Sequence, residues 1–203
     1  MASKLSIYKG ALRLLGPHEL ASLSDDRPER YQLDDAWDDA LAFMLEQGLW
    51  NFAIRSTTLT DVGSPISGWD YAFTAPTDFV RTVGISNEAT FFIGFEDFQF
   101  QTRKWYANVD TLYLRYVSND ASYGLDVTKW PATFCKAMEA YLAFESGLPI
   151  SGDRGNRNDL YSLYKSRLAR AKTLDAFDEA VKQEPAGRLV RARLASRSSK
   201  NSN

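Results

Sequence analysis

Apolar residues recur at helical spacing from residue 4 to residue 15, where Leu5, Tyr8, Leu12 and Leu15 fall on one stripe. Gly16-Pro17 predicts the stop, because glycine suits a left-handed cap and proline cannot continue a helix. A second helical pattern covers residues 29–47, with Leu33, Trp37, Ala40, Leu41, Met44 and Leu45 on one face and Gly48 as its terminator. The period then changes. Trp50, Phe52 and Ile54 alternate, which predicts passage onto a half-buried strand.

From residue 50 to residue 118 the pattern is strand-like. Gly63-Ser64-Pro65 and Ser67-Gly68 mark a turn. Tyr71 and Phe73 precede Ala75-Pro76, and Phe79–Val83 reads as a strand. Residues 90–95 and 98–106 predict two further short strands, the first carrying Phe91-Phe92, with a turn at Asn108-Val109-Asp110. Leu112, Leu114 and Tyr116 alternate with Tyr113, Arg115 and Val117 in another. Strands this short and this closely spaced predict a small antiparallel sheet or sandwich.

Helical spacing returns over residues 130–146, where Phe134, Met138, Tyr141 and Leu142 share a face. Pro131 suits its first turn, Thr128 is a candidate cap, and Gly147 and Pro149 are its expected end. Residues 150–158 read as a polar turn. Residues 157–184 predict the longest helix, striped by Leu160, Tyr164, Leu168, Ala171, Leu174, Phe177 and Val181 and closed by Pro185. Such a helix reaches ~40 Å and offers a face to a neighbouring subunit.

The expected fold is therefore α+β. It is an antiparallel helical bundle with a long C-terminal helix, a small inserted antiparallel β-domain and a disordered basic tail. The boundaries are residues 1–49, 50–118, 119–184 and 185–203.

Composition sharpens one part of this picture. Of the 203 residues, 44% are apolar and 25% charged, which excludes wholesale disorder. The formal net charge is −2, but residues 185–203 hold Arg188, Arg191, Arg193, Arg197 and Lys200 and no acid. An acidic body thus carries a cationic terminus, suited to docking on something acidic. Its serines and low apolar content predict disorder when isolated. Cys135 is the only cysteine, so no intrachain disulfide forms, which fits a reducing compartment. The opening Met-Ala-Ser-Lys-Leu-Ser-Ile-Tyr lacks a signal-peptide stretch, and no apolar run approaches a membrane span. A soluble, cytoplasmic protein at the site of synthesis is expected.

Three co-linear stretches resemble the head–tail adaptor family of tailed bacteriophages, similar to the tail tubular protein A group. The first is Ala11–Gly16 followed, after an acidic loop and helix, by Trp50-Asn51-Phe52-Ala53. The second runs from Tyr71 through Ala75-Pro76, Asp78 and Phe79 to Arg81. The third is Leu112–Tyr116, then Trp130-Pro131, Tyr141-Leu142-Ala143 and Leu148–Gly152. The resemblance spans about residues 5–184.

That resemblance implies a non-enzymatic, cofactor-free virion protein that assembles in the host cytoplasm. It implies a twelve-membered ring beneath the portal protein, contacting a tail or tail-completion protein. Genomic DNA crosses the lumen without sequence-specific binding, and no membrane is involved. In relatives, C-terminal segments contact the portal. By position, Arg188, Leu189, Arg191, Arg193, Leu194 and Arg197 are the candidate portal-binding residues here. Residues 188–197 are expected to become helical on docking, with Leu189 and Arg193 on one face. The arginines would make charge-assisted contacts to an acidic portal groove.

Other chemistry is thinner. Asp34, Asp35, Asp38 and Asp39 cluster on the second helix and suit a solvated face or partner contact better than a divalent cation. His18 and Cys135 are formally a Cys–His pair but read better as a loop histidine and a buried structural thiol, and Gly152–Arg157 is a glycine-rich interhelical turn lacking a P-loop ending. The alternative functions are a tail-associated glycan hydrolase and a soluble ligand-binding module. The hydrolase needs two carboxylates ~5–10 Å apart, from among Glu96, Asp97, Glu139 and Glu145.

Overall fold

The computed structural model describes residues 2–16, 19–91, 94–152 and 155–178. The fold is α+β, a bundle of helices ending in a long one, with a small antiparallel β region between the second and third. The helices are α1 (Lys4–Leu15), α2 (Pro28–Glu46), α3 (Ala132–Ser151) and α4 (Arg157–Phe177). The amide of Ser3 donates to the Ser6 hydroxyl at 3.0 Å and the amide of Ser6 to the Ser3 hydroxyl at 3.1 Å, capping α1. Pro28 opens α2 where its missing N–H costs nothing.

Helix α3 is the centre, packing against α1, α2 and α4. Its buried Phe134, Ala137, Met138 and Leu142 meet Tyr8, Leu12, Leu33, Met44, Trp50, Leu160, Tyr164 and Leu168 in one core. Gly10 sets the approach of α1. A Cβ there would lie 2.5 Å or less from side-chain atoms of Glu139, which is buried on α3.

The β region holds two three-stranded antiparallel sheets. Strands β1 (Ile54–Thr60), β6 (Thr111–Ser118) and β3 (Phe79–Ser86) form one, in the order β1-β6-β3. Strands β2 (Tyr71–Thr74), β5 (Lys104–Ala107) and β4 (Phe98–Gln101) form the other, in the order β2-β5-β4. Leu112, Leu114 and Tyr116 of β6 join Leu59, Phe73, Ile85 and Trp105 in a second core. Val117, one residue on, belongs to the bundle core. Alternation along one strand thus serves both cores.

Several elements depart from the sequence expectation. The alternation Trp50, Phe52, Ile54 does not begin a strand. Residues 51–53 form a 3-10 turn, closed by the Ala53 amide on the Trp50 carbonyl at 2.9 Å, and β1 starts at Ile54. Trp50 and Phe52 both turn inward, and each meets Phe134 edge-on with ring centroids 4.8 Å apart. Residues 98–106 are a hairpin, not one strand. Thr102 and Arg103 take positive φ (51° and 58°), the geometry of a two-residue turn that glycine or asparagine normally announces. No strand covers the described part of residues 90–95.

Helix α3 runs through both expected terminators. Gly147 is buried, where an added Cβ would come 3.2 Å from Leu15, so it serves packing rather than stopping. Pro149 sits in the last turn, and Gly152, at φ 68°, makes the actual cap by donating to the Leu148 carbonyl at 3.0 Å. Thr128 does not cap α3. It lies in a 3-10 turn (Val127–Lys129), with its amide on Asp126 at 3.1 Å. On α4 the stripe is buried only as far as Ala171, while Leu174 and Phe177 are exposed, Phe177 at 77%. Val181 and the closing Pro185 lie outside the described residues.

Candidate functional site

The segment that links bundle to sheet also holds the far end of the chain's last described helix. The Asn51 amide donates to both carboxylate oxygens of Asp175 on α4, at 3.1 and 3.2 Å. The Asn51 side-chain amide donates to the Asp175 carbonyl at 2.6 Å. These bonds span 124 positions of sequence and fix the last turn of α4. Beside them the Trp50 indole is 1% exposed, and its N–H donates to the Met44 carbonyl at 2.8 Å, satisfying a C-terminal carbonyl of α2. Gly48 leaves room for that ring, because a Cβ would sit 2.7 Å from it. A hollow of about 290 Å³ opens here, lined by Gln47, Leu49, Arg81, Lys172, Asp175 and Ala176, among others. The cationic residues 185–203 follow this anchored helix end in sequence.

Asp78 is the second junction. Its carboxylate accepts from Arg55 at 2.9 Å, from the Tyr116 hydroxyl at 3.1 Å and from the Ser118 hydroxyl. Its carbonyl accepts from the Asn119 amide at 3.0 Å. Burial alone would raise its pKa, but the bonds from Ser118, Arg55 and Tyr116 outweigh it and hold the carboxyl below its ordinary value. The Tyr116 hydroxyl is pushed up to about 12, by burial first and then by its bond to Asp78. Three residues on, the Arg81 guanidinium donates to the Glu46 carbonyl at 2.8 Å, tying β3 to the end of α2. The Asp78 and Arg81 of the second resemblance stretch thus both join separate elements of the fold.

The acidic residues of α2 divide. Asp34 accepts from Tyr8 at 2.8 Å and pairs with Lys4 at 3.0 Å and Arg30 at 2.6 Å. Burial would raise its pKa, and these partners lower it. Asp35, Asp38 and Asp39 are exposed. Four residues beyond Asp39, the exposed Phe43 stacks on Tyr141 with ring centroids 4.7 Å apart. Tyr141 continues to Tyr164 at 4.9 Å, and Phe144 to Tyr161 at 5.2 Å. The Tyr141 hydroxyl is raised well above its ordinary pKa, by burial first and then by Glu145. A separate hollow of about 490 Å³ lies at α1, lined by Lys9, Arg13, Arg27 and Glu19 among others.

Glu139 pairs with Lys136 at 2.8 Å and lies 3.9 Å from Arg167. Glu145, six residues on, lies about 120° around α3 from it, so the two do not flank one bond. Glu96 and Asp97 precede β4. Cys135 is buried, its thiol pushed up to about 11 by burial and then by Glu139, the reverse of an activated nucleophile. His18, its formal partner, lies outside the described residues, as do Asp153 and Arg154 of the glycine-rich turn. Among the described residues no three His, Cys, Asp or Glu side chains group as a metal site, and no helix is long and apolar enough to cross a membrane.

Arg188, Leu189, Arg191, Arg193, Leu194 and Arg197 also lie outside the described residues. What the sequence does not announce is Asp175, whose role depends on a partner distant in the chain. No protein-family model matches the chain, and no curated protein matches it.

Proposed function

We propose that this chain is a structural head-to-tail adaptor of a tailed phage. Copies form a ring under the portal, join head to tail and surround the channel through which the genome passes. The reading starts from the resemblance carried by Trp50–Ala53, Tyr71–Arg81 and the third stretch. One structural observation supports it: Trp50-Asn51 anchors the end of α4 just ahead of the cationic terminus. A connector needs a body that holds its shape and an arm that departs from a fixed point. An arm that orders on contact covers a large partner surface.

On this reading Arg188, Arg191, Arg193 and Arg197 meet an acidic groove of the portal, and Leu189 and Leu194 fill its apolar positions. The tail protein meets another surface of the ring. The test is genetic. Phage lacking this gene are expected to package DNA into heads that leak it and carry no tails. Mutant particles that keep their genomes and bear normal tails would end the proposal.

A further inference from the structure

Between Asp159 and Asp175, helix α4 carries Lys165, Arg167, Arg170 and Lys172 and no acid. Arg167 turns inward. Its guanidinium donates to the Lys136 carbonyl at 3.0 Å and lies 3.9 Å from Glu139. The other three are exposed, and none of them pairs with an acid among the described residues. The cations around the hollow at α1 differ. They share it with Glu19, and Arg27 is spent on the Glu19 carbonyl at 3.0 Å.

Lys165 and Lys172 are seven residues apart, so they stand two turns apart along one side of α4. Arg170 lies about 140° around the helix from Lys165. Ser162, Ser166, Ala169 and Thr173 fall between these flanks, and all four are exposed. The exposed large apolar residues of α4, Tyr161, Leu174 and Phe177, lie outside the stretch from Ser162 to Thr173.

Three cations with no acid to neutralise them suit a polyanion. Stable protein contacts centre on large apolar or aromatic anchors, and this stretch exposes none. Lys, Arg, Ser and Thr are among the usual donors to nucleic-acid phosphates. A single strand would also need aromatic rings for its bases to stack on. We propose that this face of α4 tracks the phosphate backbone of double-stranded DNA.

Lys165 and Lys172 are about 10 Å apart along the helix axis. Duplex DNA carries a charge about every 1.7 Å, so each cation meets a phosphate of its own. Such contacts carry no sequence information and let the duplex slide. The inference rests on the adaptor reading for its setting and adds to it which face of the body is turned to the channel.

The test measures binding of the full-length chain, without portal, to a fluorescent duplex of mixed sequence over a range of salt. The variant combines Lys165→Gln, Arg170→Gln and Lys172→Gln. A control removes the same charge elsewhere, with Lys9→Gln, Arg13→Gln and Arg27→Gln. Circular dichroism checks that both are folded. Residues 185–203 are common to every chain, so their cations cancel in the comparison.

The α4 variant is expected to bind at least roughly tenfold more weakly at low salt. Its plot of log affinity against log salt should be shallower by about 2–3, since each phosphate contact contributes about 0.9. The control should keep the wild-type slope. An unchanged slope in the α4 variant would overturn the proposal. So would an equal loss in the control, which would make net charge the cause. Displacement of the duplex by polyglutamate as readily as by unlabelled DNA of equal charge would overturn it in favour of an acidic protein partner. Ring formation on the portal is scored separately. A wild-type chain that binds the duplex through α4 but forms no ring would end the adaptor reading and leave the DNA contact standing.

Discussion

The Asn51 amide donates to both carboxylate oxygens of Asp175, and the Asn51 side chain donates to the Asp175 carbonyl. The two residues join the entrance of the β region to the exit of the bundle. One turn of a terminal helix ordinarily frays. Here it is held by a residue from a different part of the chain, and the cationic residues 185–203 follow it in sequence.

Asp175→Ala removes the acceptor of the Asn51 amide. The cost is expected at about 1–2 kcal/mol, a fall in Tm of roughly 2–8 °C. Hydrogen exchange should rise at residues 172–178 before it rises elsewhere. An unchanged exchange pattern would show that the last turn of α4 is held by its own contacts alone.

Asp78 makes the β region sensitive to acid. Its pKa is lowered in the folded chain from an ordinary value of 3.8. The stabilisation is therefore fully present above that value and is lost as pH falls through the lower, folded one. Acid titration of wild type should show falling stability below about pH 4. Asp78→Asn should flatten that slope and leave the part due to Asp34, Asp61 and Asp126, whose carboxyls are lowered too. At neutral pH Asp78→Ala is expected to cost about 2–4 kcal/mol, because Arg55, Tyr116 and Ser118 lose their acceptor. Urea unfolding followed by tryptophan fluorescence measures both.

Gly10→Ala should destabilise the packing of α1 on α3 by about 1–3 kcal/mol, since the new methyl meets the Glu139 side chain. Shortening that side chain makes room. The double variant with Glu139→Ala should cost less than the two single changes added together. Simple additivity in urea melts would mean that the helices separate rather than clash.

Trp50→Ala is expected to cost about 3–5 kcal/mol. The indole is fully enclosed, packs on Phe134 and satisfies the Met44 carbonyl. A thermal melt within a degree or two of wild type would contradict this.

The helices were the legible part of the sequence. Leu5, Tyr8, Leu12 and Leu15 marked α1, and the helix ends at Leu15 before Gly16, although Gly16, at φ 124° and ψ −157°, does not take the left-handed cap expected of it. Strand β6 was equally plain, since Leu112, Leu114 and Tyr116 all face one core. Where the reading failed, a local signal was overridden by tertiary packing. Gly147 resembles a helix stop but fills a gap between Leu15 and Leu160. Trp50 and Phe52 alternate as strand residues do, yet both turn onto Phe134. The β4–β5 turn is built on Thr102 and Arg103, which lack the glycine or asparagine that marks such a turn, so residues 98–106 read as one strand. The hubs were hidden for another reason. Neither Asp78 nor Asp175 differs in composition or spacing from other surface acids, and each acquires its role only when remote residues arrive.

The portal-docking arm is tested by removing it. Deleting residues 186–203 should leave the body's thermal melt unchanged and abolish binding to the portal. Truncated chains that bind as well as wild type would place the contact on the body.

Electron microscopy of the full-length chain mixed with its portal protein bears on all of this at once. The expected image is a closed ring of copies seated coaxially on the portal around an open channel. Portal particles without added density, in the presence of excess folded chain, would contradict the adaptor reading.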